Sequence, residues 1–299
     1  MNDANAGRFA LAQQLAPHYG ASPKVAAVAV AGSVARGDAD RFSDIDLAVF
    51  WSHAPTEQER REIIKHARGR HVQLFPYNGD EACWSDTYEV GGVAIDVRHA
   101  EVEAIERILA DVLERCDPSL SRQQHLAALL TALSLVDPSA LLAHWQSRAT
   151  AYPRELSVAM ARAHLRFRPA WEQEKLAERG DLLALYESFC TVEKQLLLVL
   201  MGLNRIYYAG WQWVDRLMAE MRIAPLKLAQ RCKQAFGIVS IDPLASVYQL
   251  HDLIEETFGL VETHLRDFDA AQAHARFQER CQAWERVPAG LVEEAPRHL

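Results

Sequence analysis

The chain lacks the features that would place it outside ordinary globular proteins. Its five cysteines (Cys83, Cys116, Cys190, Cys232 and Cys281) are odd in number and widely spaced, with no CxxC pair. That spacing indicates neither a structural zinc site nor a disulfide framework, and reduced thiols in a cytoplasmic setting are the expectation. There is no long apolar run. The most apolar later stretch, Leu196 to Leu203, is far shorter than the roughly 20 residues a bilayer requires. The first twenty residues have neither the charged start nor the apolar core of a signal peptide. Excess positive charge is also missing. The formal net charge is −8, which disfavours a nucleic-acid partner held by its phosphates and suits a cationic small molecule. No internal repeat and no low-complexity tract is present.

What the chain does have is 299 residues, 49% hydrophobic and 24% charged. That is enough for two domains and ordinary for a globular protein. The informative stretch is VAAVAVAGSVARGDADRFSDIDLAVFW, from Val25 to Trp51. An apolar run ends in Ala31-Gly32-Ser33, a polar segment follows, and a second apolar run begins at Ser43-Asp44-Ile45-Asp46. Strand, tight turn, short helix, strand is the expected order. Alternation along the second strand puts Ile45, Leu47 and Val49 on one face and Asp44, Asp46 and Ala48 on the other. Two carboxylates two residues apart lie roughly 7 Å apart at Cα, so their oxygens can converge on one or two divalent ions. Without a cation the pair would raise a pKa or cost stability.

The pattern G-S-x-x-R-G-x-x-x-x-x-S-D-I-D, carried by Gly32, Ser33, Arg36, Gly37, Ser43, Asp44 and Asp46, resembles the nucleotidyltransferase superfamily with a DNA polymerase beta-like fold. It is most similar to the small bacterial branch that includes the aminoglycoside and lincosamide nucleotidyltransferases. The likeness covers about the first hundred residues. It implies an α+β protein: an N-terminal nucleotidyltransferase domain over residues 1–117, with a mixed sheet and flanking helices, then an α-helical domain over residues 118–290 bordering the substrate and nucleotide cleft, and a loose tail over 291–299.

It also implies roles. Gly32 would let a triphosphate approach the backbone, and Ser33 would contact the outer phosphates with help from Arg36 or Ser43. Capping chemistry for the two serines and an ion pair for Arg36 are the plain alternatives. Asp96 lies in the alternating strand Val93 to Arg98, where the family carries its third carboxylate. It could instead face solvent or pair with Arg98. Asp44 and Asp46 would bridge one Mg²⁺ under the triphosphate, and Asp96 would help hold a second. The co-substrate would be ATP or another NTP. Glu89, on the preceding strand, is the candidate general base, with Asp86 as rival.

Further along, the segment Leu203-Asn204-Arg205-Ile206-Tyr207-Tyr208 and the upstream Lys194 are candidates to border the nucleotide. Tyr207, Tyr208, Trp211 and Trp213 could stack a base, although helical lysines usually face water and aromatics at helix ends usually form core. The expected reaction is transfer of NMP to a hydroxyl of a small acceptor such as an aminoglycoside-like antibiotic, with pyrophosphate released. The competing function is nucleotidylation of a protein or tRNA by a regulatory or toxin-type enzyme. Several members of the family work as dimers.

The remaining chain predicts helices over 4–18, 56–68, 101–115, 120–135, 139–148, 154–168, 181–203, 211–221, 225–236, 244–265 and 268–286. Strands are expected near 71–75 and 86–90.

Overall fold

A computed structural model describes residues 3–212 and 214–280 of the chain. The expected stacking by Trp213, the thiol of Cys281, the end of the last expected helix and the 291–299 tail lie outside the described residues. The first helix, α1 (Asp3–Gly20), leads into β1 (Val25–Val30), α2 (Gly32–Arg36), β2 (Ile45–Trp51) and α3 (Glu57–His66). Three strands follow, β3 (Arg70–Leu74), β4 (Trp84–Val90) and β5 (Val93–Glu101). Then come α4 (Val102–Leu113), α5 (Leu120–Thr131), β6 (Leu133–Val136), α6 (Leu141–Ala149), α7 (Arg154–His164) and α8 (Ala170–Glu178). The chain continues with α9 (Leu182–Asn204), α10 (Val214–Glu220), α11 (Leu228–Ile238), α12 (Pro243–His264) and α13 (Ala271–Phe277). Among the described residues no helix is long and apolar enough to cross a membrane.

The six strands form one mixed sheet in the order β3-β4-β5-β2-β1-β6. Only β2 and β5 run parallel, and the other neighbours are antiparallel. The fold is thus the expected α+β arrangement, a mixed sheet with flanking helices followed by a helical C-terminal region. Alternation governs the sheet as anticipated: Ile45, Leu47 and Val49 are buried, together with Val28, Val30, Ile95 and Val97. They pack under α1 and α3 through Leu15, Tyr19, Ile63 and Ile64. Helix α3 begins at a capping box, with Thr56 accepting from the Glu59 N–H and Glu59 accepting from the Thr56 N–H.

The same face holds a buried polar chain. Asp86 accepts from Arg60 Nη1 and sits 2.9 Å from His99 Nε2, while Trp51 Nε1 donates to His99 Nδ1 at 3.1 Å. Tryptophan can only donate. His99 Nδ1 is therefore the acceptor, and the ring proton sits on Nε2, pointing at Asp86. Burial holds the His99 pKa down, so the ring is neutral. Asp86 is fully enclosed and sits on this core face, opposite Val97 of β5. That corrects its placing as a rival general base.

Two expectations about individual elements also differ from the structure. The helix expected over 120–135 ends at Thr131, and Leu133–Val136 forms β6 against β1. Leu-Ser-Leu-Val reads equally well in either period over so short a run. The open edge of β1 decides the matter by offering backbone partners. The second difference is α8, which starts directly after Pro169, where only an interruption was expected; proline is tolerated at a helix start.

Contacts gather the chain into two units, Met1–His164 with Leu198–Ile223, and Leu165–Leu197 with Ala224–Leu299. Helices α5 to α7, which the residue 118 boundary would assign to the helical domain, group here with the sheet. In the second unit, Phe167 meets Phe258 and Phe277 edge-on, and His251 bonds Gln173 at 2.9 Å.

Candidate active site

The other face of the sheet carries the polar residues. Parallel pairing of β2 with β5 sets Asp46 directly beside Asp96 and Ala48 beside Arg98. Asp44 stands just before β2. Asp44, Asp46 and Asp96 each offer a carboxylate oxygen, all within 4.8 Å of one another, and all three side chains are half-buried. At the far end of this face Phe50 packs edge-on against Trp145 of α6, ring centres 4.9 Å apart. The acids sit at the other end, where the β1–α2 turn comes in.

That turn is pinned to the acids. The Ala31 N–H extends the β1–β2 ladder by donating to the Asp46 carbonyl at 2.9 Å. Gly32 then turns with φ +61°, and a Cβ there would overlap the Asp46 carboxylate, whose Cγ would be only 2.7 Å away. Gly32 is required on both counts, positive φ and close approach. Helix α2 has only five residues, so its dipole is small. Its first-turn N–H groups, those of Gly32, Ser33 and Val34, have no intrahelical acceptor. Gly32→Ala is expected to cost about 1–2 kcal/mol in stability from the backbone alone. Its effect on activity should be larger, about a hundredfold for an ångström of displacement of Asp46. Comparing urea midpoints with turnover checks this; an active, unstable variant would mean the contact with Asp46 is unimportant.

The electrostatics follow from the geometry. The Asp46 pKa is pushed up from 3.8 to about 6, by burial first and then by the charges of Asp44 and Asp96. Asp96 is raised as well, by burial and then by Asp44, with which it shares a hydrogen bond. Arg98 opposes both shifts, and Arg36 opposes that of Asp46. A hard, all-oxygen donor set under this much mutual repulsion could hold a divalent cation.

The other sequence candidates fall in varied places. Ser33 is half-buried in the turn. Arg36 is exposed and lies 3.6 Å from Asp38. The Ser43 hydroxyl bonds the Asp40 carboxylate at 3.2 Å and accepts from the Asp40 N–H at 2.9 Å, which is turn chemistry. Glu89 lies on the acid face of β4, but the residue directly across from Asp96 is Thr87, and Glu89 is across from Ala94. Lys194 is exposed on the part of α9 counted with the second unit. Tyr207 is buried, its ring tilted against that of Tyr152 with centres 4.8 Å apart, and its hydroxyl donates to the Ala149 carbonyl at 3.0 Å. Packing accounts for that geometry without a nucleotide. Asn204 uses its whole amide to tie the end of α9 to Leu200, Arg222 and Ile223. Tyr208 meets Trp211 edge-on, ring centres 5.1 Å apart.

The sequence alone suggests Arg98 only as a partner for Asp96. It pairs instead with Glu81 at 2.6 Å, which leaves an exposed guanidinium on the acid face. The two-residue spacing from Asp96 was the available signal, since i and i+2 on a strand share a face.

Residues 15–85 match the family described as nucleotidyltransferase domain, and residues 120–214 match a domain of unknown function, DUF4037. No curated protein matches the chain. Among solved structures, a nucleotidyltransferase-like protein from Exiguobacterium sibiricum 255-15 aligns at 9% identity and a TM-score of 0.40, covering 85% of this chain and 74% of its own.

Proposed function

We propose, from the premise that the chain carries a nucleotidyltransferase domain and is a transferase of nucleotidyl type, that it moves NMP from a nucleoside triphosphate, ATP in the first instance, to a hydroxyl of a small-molecule acceptor and releases pyrophosphate. The observation that carries this reading is the meeting of three carboxylates from β2 and β5 beside a glycine turn that a triphosphate can approach closely. Asp44, Asp46 and Asp96 would hold Mg²⁺, two ions in the reading we favour. When bound, Mg²⁺ supplies neutralisation of the phosphate charge and a lowered pKa for the attacking hydroxyl.

The chain's own groups do the rest. The Gly32–Val34 N–H groups and the Ser33 hydroxyl hold the outer phosphates. Asp46, fixed by its strand and by Gly32, would give the cation a firmly placed ligand oxygen beside the turn. Asp96, on the side of the acids away from the turn, faces the incoming acceptor. Glu89 is the nearest further acid on β4 along that side, and through a water it takes the acceptor's proton.

The test is incubation of the purified protein with Mg²⁺ and each of the four NTPs against a panel of acceptors, with released pyrophosphate and labelled acceptor both read. Transfer to an aminoglycoside-like or other small hydroxyl compound is the expected result. Transfer only to tRNA or to a protein would replace the acceptor class, and no transfer from any NTP would overturn the reading.

A pH dependence accompanies it. Because the Asp46 pKa is raised, the metal-free folded protein keeps a proton that the unfolded chain releases, between about pH 4 and about pH 6. Stability from this group is present below that window and lost as pH rises through it. The thermal midpoint without divalent cation should therefore fall across the window. Mg²⁺ should raise it more at about pH 8 than at about pH 5. Equal Mg²⁺ shifts at both pH values would argue against these carboxylates as the ligands.

A further inference from the structure

Asp38 follows Gly37, the left-handed cap at the end of α2, and its N–H reaches back to the Ser33 carbonyl at 2.9 Å. One oxygen of its carboxylate serves two guanidinium groups, Arg36 Nε at 3.6 Å and, in closer contact, Arg216 Nη1. Arg216 comes from α10, beyond both matched regions of the chain. It is also 3.5 Å from Glu220, one helical turn away.

This bridge differs from the structural one in the core. Arg60 and Asp86 are 5% and 0% exposed, whereas Arg216 and Asp38 are 53% and 27% exposed. Exposed pairs are worth about 0–1 kcal/mol, so Arg216 is held loosely. A triphosphate carries more charge than a lone carboxylate, and its oxygens accept the two parallel N–H bonds that a guanidinium fork provides. The cluster also lies within electrostatic reach of the acids, since Arg36 acts on Asp46.

We propose that Arg216 is a nucleotide-binding residue supplied from outside the matched domain, resting on Asp38 and passing to the outer phosphates when a triphosphate occupies the Gly32–Ser33 turn. This rests on the triphosphate reading above. Because the contact is with the phosphate tail, it is indifferent to the base.

The test is calorimetric binding of each NTP, and of inorganic tripolyphosphate, in Mg²⁺ without acceptor. The proteins compared are the wild type, Arg216→Gln, Arg216→Lys and Asp38→Asn. Arg216→Gln should weaken all of these ligands alike, by about tenfold for one lost charge-assisted contact. Arg216→Lys should recover part of the loss. Asp38→Asn should bind as tightly as wild type or more tightly, because the competing anion is gone. A merely structural bridge would instead make Arg216→Gln and Asp38→Asn weaken binding in the same direction, which overturns the inference. Unchanged binding by Arg216→Gln overturns it too, and leaves the triphosphate reading standing. A wild type that binds neither NTP nor tripolyphosphate overturns both.

Discussion

Asp46→Ala is expected to abolish nucleotidyl transfer while leaving the metal-free protein as stable as before, or more stable. The loss follows from position. Asp46 is the acid set directly beside Asp96 in the β2–β5 register and pressed by Gly32, so no neighbouring oxygen can replace it. Charge neutralisation by a bound cation is worth several kcal/mol in the transition state, about a thousandfold or more in rate. The stability change has the opposite sign. Burial and two neighbouring carboxylates disfavour the charged form of Asp46, so removing it relieves repulsion that only a cation otherwise balances. Asp44→Ala should abolish transfer in the same way. The measurement is turnover with the best NTP, alongside thermal melts with and without Mg²⁺. The Mg²⁺-induced shift should vanish with activity. Retained turnover in both purified variants would refute the metal-holding role.

Asp86→Ala is expected to cost about 3–5 kcal/mol of folding stability, the range for removing one partner of a buried ion pair. The substitution takes the carboxylate from two groups at once, both enclosed under the sheet: the Arg60 guanidinium, which keeps only a long 3.5 Å bond to the Ser85 carbonyl, and the His99 Nε2–H. Trp51 cannot compensate, since its indole N–H is already given to His99 Nδ1. Asp86→Asn should cost less, because its amide oxygen can still accept one of the two bonds. Urea unfolding gives the free energies, and turnover per folded molecule gives the control. Because Asp86 faces away from the acids, turnover at a temperature where the variant stays folded should be close to that of wild type. A fully stable Asp86→Ala variant would contradict the network, and a stable but inactive one would restore Asp86 as a catalytic candidate.

Much of the site was legible because its residues are close in sequence. Gly32, Asp44 and Asp46 fall within fifteen residues, and period-two alternation alone assigns Asp44 and Asp46 to the polar face and Ile45 and Leu47 to the core. Asp86 was harder to place. An acid on a β-strand reads as exposed or catalytic, and only the approach of Arg60 from α3 and His99 from β5 turns it into a core group. Tyr207 was likewise ambiguous until Tyr152 and the Ala149 carbonyl were found against it.

By itself, the order of residues determined which strand faces are apolar, where the chain must turn at Gly32, and that two carboxylates stand together needing a cation. The tertiary structure decided the register that sets Asp96 beside Asp46, which arginine from α10 reaches Asp38, and whether Leu133–Val136 is helix or strand. The reason is physical. Alternation and backbone sterics act between near neighbours and can be read along a line. Register, edge pairing and ion pairing between distant segments depend on which elements pack together, and that is set by burial over the whole sheet.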